Sequence, residues 1–222
     1  MSGGVDLLIF DLDGTLVDTK QDLTNAVNAT RARMGLPALD EQLVSSYVGD
    51  GALTLIRRVL GPEASEEEVS RALEFFLAYY GEHKLDCTRP YPGVREALER
   101  LSRAGVQMAV LTNKPVRVSQ AILEGLSLEG YFARIYGGNS FEQKKPDPVG
   151  VETLLAELGV ERERAMIVGD SAIDVRTARN ASVKVCGVTY GFQPETLAAE
   201  PPDVVVDSLA QLADIILGAA QA

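Results

Sequence analysis

The chain has 222 residues, of which 46% are hydrophobic and 24% charged, as is usual for a soluble globular protein with a substantial core. Its 21 basic and 32 acidic residues give a formal net charge of −11. Such a charge repels nucleic acids and anionic membrane surfaces, so we expect neither as a partner. It also repels anionic substrates unless positive charge reverses the field at the site, and we therefore expect a divalent cation there.

The two cysteines, Cys87 and Cys186, fit neither a disulfide framework nor a metal-binding spacing. We expect both to be reduced and mostly buried. The sequence has no basic and apolar leader, and no apolar run approaches the ~18 residues that span a membrane. A cytoplasmic location is therefore expected.

An apolar run from Leu7 to Phe10 predicts a buried strand, followed at once by Asp11, Asp13 and Gly14. Carboxylates two positions apart project to the same side of the chain, and glycine permits a sharp turn after them. This pattern suits phosphoryl transfer, with Asp11 as nucleophile or metal ligand and Asp13 handling the proton of the leaving group. Taken alone, however, the same residues are more often a surface turn.

Helical spacing of apolar residues continues from residue 16 to residue 86. It is interrupted by V-G-D-G-A at 48–52, and Ser65 with Glu68 forms a predicted capping box before the last helix of the block. We predict an all-helical domain at residues 16–88, inserted into a main domain formed by 1–15 and 89–222.

Strands and helices alternate in the rest of the chain. After the first strand, the predicted strands cover residues 106–111, 133–136, 165–168, 183–188 and 204–206. This alternation predicts an α/β fold with a doubly wound, Rossmann-like parallel sheet and helices on both faces.

Ligands of such sheets bind beyond the carboxyl ends of the strands, where the strand order reverses. The residues that follow predicted strands there, or lie in the long loop that continues one of them, are Asp11, Asp13, Thr112, Asn113, Lys144, Lys145, Asp170 and Asp174. Each has an ordinary alternative, such as a helix N-cap, a solvated lysine or an Asx-turn. Together, at one edge of a sheet, they predict a site for phosphoryl chemistry.

Four motifs carry a resemblance: D-L-D-G-T at 11–15, L-T-N-K at 111–114, K-P-D-P at 145–148 and G-D-S-A-I-D at 169–174. They resemble the motifs of the haloacid dehalogenase-like superfamily of phosphohydrolases, and the helical insertion resembles its small α-helical cap. The resemblance covers the whole chain. The motif spacing is most similar to the phosphoglycolate phosphatase subfamily.

The resemblance implies that Asp11 attacks phosphorus and forms an aspartyl-phosphate, while Asp13 protonates the leaving alcohol and then activates water. It implies that Mg²⁺ is held by Asp11, by Asp170 and by the backbone carbonyl of Asp13. Asp174 would be either a further ligand or a residue that contacts the ligands without touching the metal. The implied activity is Mg²⁺-dependent hydrolysis of a small phosphate ester, with 2-phosphoglycolate as the leading candidate.

Thr112, Asn113 and Lys145 are the implied substrate-binding residues, which would hold the phosphoryl oxygens. A residue before proline favours extended backbone, so Lys144 and Lys145 should lie on opposite sides of the chain. One of them faces the site, and the position of the motif favours Lys145.

Several alternatives stay open within the superfamily: a pyrophosphatase, a sugar or nucleotide phosphatase, or a phosphomutase. Asp13 argues against a dehalogenase, and the cap arginine and histidine typical of sugar phosphomutases are absent. A rival from another class is a non-hydrolytic phospho-acceptor regulatory protein, although receiver domains are about half this length. Ser182 stands where the fourth-motif helix often ends in glycine, which leaves the geometry of that turn open.

In the helical insertion, the 48–52 loop either approaches the active site or forms an ordinary turn between helices. Lys20, Arg57 and Arg58 are candidate cations for a substrate carboxylate, although long cations on helices usually face water. His83 is expected at the surface without an acid–base partner. The sequence predicts neither the cap residues that contact the substrate nor the oligomeric state.

Overall fold

The computed structural model describes residues 4–219, and its centre is a six-stranded parallel sheet. In spatial order the strands are β5 (Arg134–Tyr136), β4 (Gln107–Leu111), β1 (Leu7–Phe10), β6 (Ala165–Gly169), β7 (Lys184–Val188) and β8 (Val204–Val206). The chain builds outwards from β1 through β4 and β5, then crosses to the other side of β1. The predicted doubly wound parallel sheet is confirmed, and its order reverses beside the carboxyl end of β1.

Helices cover both faces of the sheet. On one face, α5 (Val94–Arg103), α6 (Val116–Gly125) and α9 (Leu209–Ala219) pack against Leu8 and Phe10 of β1. On the other, α7 (Val149–Leu158) and α8 (Ala172–Ala181) pack against Leu7 and Ile9. Alternate residues of a strand point to opposite faces of the sheet. Because both faces of β1 are buried, all of its residues are apolar.

The helical insertion contains α1 (Lys20–Arg33), α2 (Glu41–Ser46), α3 (Ala52–Leu60) and α4 (Glu66–His83). These helices share a core of their own, which includes Leu23, Val27, Val44, Ile56, Val69 and Phe76. The predicted capping box is present at the start of α4, where Ser65 and Glu68 bond each other's backbone N–H groups. The helical character of the block is therefore confirmed, while its limits as a domain, residues 16–88, stay a prediction.

A two-stranded antiparallel ribbon, which the sequence did not suggest, joins the insertion to the sheet domain. It pairs β2 (Val17–Asp18) with β3 (Arg89–Pro90). Next to it, the buried carboxylate of Asp22 accepts hydrogen bonds from the backbone N–H groups of Cys87 and Thr88. The chain therefore enters and leaves the cap through one paired, hydrogen-bonded segment.

Two expectations are corrected. Cys87 is exposed, because it lies in the segment between α4 and β3 rather than in a core, whereas Cys186 is buried as expected. His83 lies at the surface but does have a partner, since its Nδ1 is 2.8 Å from Oδ2 of Asp86 and its ring stacks on Tyr79. Within residues 4–219, no helix combines the length and the apolar character needed to cross a membrane.

Candidate active site

A cavity that is open to solvent lies between the carboxyl edge of the sheet and the cap. Its sheet side is lined by residues from the predicted motifs, namely Asp11, Asp13, Thr112, Asn113, Lys114 and Asp170. The motifs are far apart in sequence, and the parallel sheet brings them together because its strands end at the same edge.

Backbone hydrogen bonds fix the first residue after each of two strands. The N–H of Asp11 donates to the carbonyl of Val168 over 2.9 Å, and the N–H of Thr112 donates to Tyr136 over 3.0 Å. Gly14 has φ +80°, and a Cβ there would lie 2.3 Å from Oδ2 of Asp170. Glycine is thus required both by the turn and by the close approach of the carboxylate.

Three carboxylates, from Asp11, Asp170 and Asp174, place oxygens within 4.8 Å of one another. Burial raises the pKa of Asp170 to about 8, and the neighbouring charges of Asp174 and Asp11 add to the rise. Burial also raises the pKa of Asp11, against the attraction of Lys145. Burial and mutual repulsion therefore oppose the ionised forms of Asp11 and Asp170.

Among the side chains of residues 4–219, Lys145 is the cation that contacts this cluster. Its Nζ lies 2.7 Å from Oδ1 of Asp174 and 3.0 Å from Oδ1 of Asp11, and its side chain is 3% exposed. Lys145 and Asp11 are close enough to form an ion pair, but their atoms are not aligned for a hydrogen bond. The buried Oδ1 of Asp11 therefore accepts no hydrogen bond from any described residue. Lys144, in contrast, is exposed.

Asp170 and Asp174 are held differently. Oδ2 of Asp170 accepts from the backbone N–H groups of Phe192, at 2.5 Å, and Gln193, at 3.4 Å. Oδ2 of Asp174 accepts from the N–H and hydroxyl of Ser171 at the start of α8, while its Oδ1 accepts from Lys145. Both oxygens of Asp174 are therefore engaged, which favours a role in orienting Lys145 over direct metal ligation.

Lys114 is a residue to which the sequence analysis gave no role. Its Nζ lies 3.0 and 2.9 Å from the two carboxylate oxygens of Asp13, and its side chain is 5% exposed. The hydroxyl of Thr19 also donates to Oδ1 of Asp13, over 2.6 Å. Lys114 is the last residue of the L-T-N-K motif, which is the only sign of its role in the sequence. Its contact with Asp13 spans 101 positions and so could not be read from a local pattern.

The side chain of Asn113 connects loops. Its amide donates to the carbonyls of Gly49 in the cap, at 2.9 Å, and of Lys145, at 3.0 Å, and its oxygen accepts from the N–H of Lys145. This side chain is committed to main-chain groups, so the geometry favours positioning over the expected contact with substrate. Thr112 lies beside it, 4% exposed, and its hydroxyl accepts from the N–H of Lys114.

The cap loop approaches the site, as one of its two interpretations predicted. Gly49 and Gly51 line the cavity, and a Cβ at Gly51, where φ is +88°, would lie 3.2 Å from the carbonyl oxygen of Asn113.

The three candidate cap cations do not line this cavity. Arg57 pairs with Glu66 and Arg58 with Asp50 on the surface, while Lys20 lies 5.0 Å from the ring centre of Phe192. The expectation that they bind a substrate carboxylate is therefore not supported. Both arginines instead neutralise acidic neighbours within the cap.

Comparison with known proteins gives consistent results. Residues 8–188 match the family model described as "Haloacid dehalogenase-like hydrolase". The chain is 39% identical to a phosphoglycolate phosphatase of Vibrio vulnificus (strain CMCP6), over 96% of each chain. It is 41% identical to phosphoglycolate phosphatase 1 of Pseudomonas aeruginosa, over 93% of this chain and 78% of that protein.

A solved structure extends the likeness to the fold. The crystal structure of a predicted phosphoglycolate phosphatase from Haemophilus somnus superposes with a TM-score of 0.90 and 34% identity, over 95% of this chain and 97% of that one. The family resemblance inferred from the four motifs is confirmed. The chain belongs to the haloacid dehalogenase-like hydrolase family.

Proposed function

We propose that this protein is a Mg²⁺-dependent phosphatase that hydrolyses 2-phosphoglycolate through an aspartyl-phosphate on Asp11. The observation that carries the proposal is the meeting of Asp11, Asp13 and Lys145 at one sheet edge, in a chain whose curated relatives over 96% of its length include phosphoglycolate phosphatases. The proposed nucleophile and proton donor come from the loop after β1, and the proposed phosphate-binding cation comes from the long loop after β5.

The residues present fit a magnesium ion. Carboxylate oxygens are preferred ligands of Mg²⁺, and the buried Oδ1 of Asp11 lacks a hydrogen bond from residues 4–219. A Cβ at Gly14 or Gly191 would lie 2.3 or 2.4 Å from Oδ2 of Asp170, so glycine at both positions lets this carboxylate take its place in the site. Asp11, Asp170 and the backbone carbonyl of Asp13 would hold the ion. When bound, it supplies positive charge that offsets the charge of the phosphoryl group.

The chemistry of the chain itself runs in two steps. A carboxylate oxygen of Asp11 forms a bond to phosphorus while the bond from phosphorus to the ester oxygen breaks, and Asp13 gives its proton to that oxygen. Asp13 then takes a proton from water, which attacks phosphorus and releases Asp11 and inorganic phosphate. Asp13 is already oriented for both transfers by Lys114 and Thr19.

Donors for the phosphoryl oxygens come from the neighbouring loops. Lys145 is held by Asp174 in reach of Asp11, and Thr112 contributes a hydroxyl from the end of β4. Within residues 4–219, the backbone N–H groups of Asp13 and Asn113 have no acceptor in the protein. Such preorganised donors stabilise charge that develops in the transition state.

The test is phosphate release from a panel that contains 2-phosphoglycolate, pyrophosphate, sugar phosphates and nucleoside monophosphates, with Mg²⁺ and with EDTA. We expect 2-phosphoglycolate to be turned over fastest and EDTA to stop the reaction. Asp11→Asn should abolish turnover, while Asp214→Asn, which alters an exposed ion pair with Arg100, should not. Turnover by Asp11→Asn would contradict the assignment of Asp11 as the nucleophile. Faster turnover of another compound would contradict the assignment of 2-phosphoglycolate as the substrate.

A further inference from the structure

The cavity contains little positive charge for the leaving group. Within residues 4–219, Lys114 is the one Lys or Arg side chain that lines it. Apart from Tyr80, the side chains that line it from the cap are apolar: Leu23, Val48, Ala52, Leu55, Phe76 and Leu77. The amides of Asn113 and Gln193 also line the cavity, but both donate to main-chain carbonyls. A charged leaving group therefore depends on Lys114.

A second polar group faces the same cavity from the cap. Tyr80, on α4, is 3% exposed, and its hydroxyl has no hydrogen-bond partner among residues 4–219. Burial raises the pKa of Tyr80 to about 12, so the hydroxyl keeps its proton and remains a donor. A buried hydroxyl without a partner costs free energy, which a ligand that accepts its hydrogen bond recovers.

Tyr80 and Lys114 are neighbours across the boundary between the cap and the sheet domain. The ammonium of Lys114 lies 4.6 Å from the centre of the Tyr80 ring. The same ammonium lies within 3.0 Å of both oxygens of Asp13, which gives the proton to the ester oxygen. An anionic group attached close to that ester oxygen is therefore within reach of both Lys114 and Tyr80.

We propose that the Lys114 ammonium and the Tyr80 hydroxyl form a carboxylate-binding subsite that selects phosphate esters with a carboxylate one carbon away from the ester oxygen. This inference rests on the proposed function and names the residues that recognise its substrate. In 2-phosphoglycolate a single methylene separates the two groups, which matches the closeness of Lys114 to Asp13. The ammonium attracts the carboxylate by its charge, and the hydroxyl orients the carboxylate by a directional hydrogen bond. The apolar cap residues exclude water, which strengthens both interactions.

The decisive comparison uses two esters that differ only in this group: 2-phosphoglycolate and ethyl phosphate, in which a methyl replaces the carboxylate. Tyr80→Phe removes the hydroxyl and keeps the ring. We expect it to lower kcat/KM for 2-phosphoglycolate by about tenfold and that for ethyl phosphate by less than about twofold, since hydrogen bonds to charged groups are the strong ones. Tyr79→Phe is the matched control, because Tyr79 precedes it on α4 and does not line the cavity; it should leave both values unchanged.

Lys114→Met should slow both esters, because Lys114 also holds Asp13, but it should slow 2-phosphoglycolate by a larger factor. The same comparison can be made without turnover in the Asp11→Asn protein. Calorimetry then measures the affinity for each ester with and without the additional substitution Tyr80→Phe. Equal losses for the two esters in both variants would overturn the subsite and leave the phosphatase proposal intact. A protein that binds 2-phosphoglycolate selectively but hydrolyses no ester would contradict the proposed function and support the subsite.

Discussion

The side-chain amide of Gln193 donates to the carbonyl oxygen of Val48 over 2.7 Å, which ties the loop after β7 to the cap. The same amide reaches the carbonyls of Ser45 and Ser46 at the end of α2. The backbone N–H of Gln193, in turn, donates to Asp170. One residue thus connects the position of the cap to a candidate metal ligand.

Gln193→Ala should therefore weaken substrate capture while leaving the protein folded. A neutral hydrogen bond contributes about 1 kcal/mol, which corresponds to about a fivefold change in an equilibrium constant. We expect kcat/KM to fall by about fivefold or more and trypsin to cleave the cap faster. Gln42→Ala, an exposed glutamine on α2, is the control. Kinetics and cleavage like those of the unmodified protein would show that Gln193 does not hold the cap.

Asp170→Asn should abolish the response to Mg²⁺ without unfolding the protein. A metal that binds the folded state raises its melting temperature, so Mg²⁺ should raise the Tm of the unmodified protein and not that of the variant. In EDTA the variant should melt at the same or a higher temperature, because it replaces one of three clustered carboxylates, whose like charges repel, by a neutral amide. Asp214→Asn should keep the full Mg²⁺ shift.

Calorimetric titration with Mg²⁺ measures the same effect directly. If Asp170→Asn bound Mg²⁺ as tightly as the unmodified protein, Asp170 would be excluded as a metal ligand. The closeness of its carboxylate to those of Asp11 and Asp174 would then need another explanation.

Ser182→Gly should stabilise the protein. Ser182 ends α8 with φ 54°, a left-handed conformation that costs a residue with a Cβ more than it costs glycine. Its side chain is exposed, so the substitution loses little packing. We expect the free energy of unfolding in urea to rise by about 0.5 to 1 kcal/mol.

Two other serines serve as comparisons for this substitution. Ser127 has the same φ of 54°, so Ser127→Gly should also stabilise. Ser70 lies inside α4, and Ser70→Gly should destabilise by a few tenths of a kcal/mol because glycine is a poor helix former. Similar effects at all three positions would refute the explanation by backbone conformation.

The two thiols should differ in reactivity. Cys87 is exposed, while Cys186 is buried in the sheet core, and burial raises the pKa of Cys186 to about 12. A thiol reagent at mildly alkaline pH should modify one cysteine in the native chain and two after denaturation, since the thiolate is the reactive form. Cys87→Ser should abolish native labelling. Two modified thiols in the native protein would contradict the burial of Cys186.

The sequence by itself determined the sheet, the helical insertion and the four loops of the site. Leu7–Phe10 and Ala165–Gly169 are apolar at nearly every position because both faces of a central strand are buried, which makes such strands recognisable locally. The capping box of Ser65 and Glu68 is likewise complete within four residues. Patterns of this kind depend on neighbours in sequence, so the sequence contains all of their information.

Only the tertiary structure decided which polar groups meet and which remain unpaired. Tyr80 has the spacing of a core residue on α4. Only its surroundings in the fold show that its hydroxyl lacks a hydrogen-bond partner among residues 4–219. The contact of Lys114 with Asp13 spans 101 positions, and that of Gln193 with Val48 spans 145. The same holds for Cys87, whose exposure depends on where the segment after α4 lies. Side-chain partners across such distances are set by how helices pack on the sheet, which no local pattern specifies.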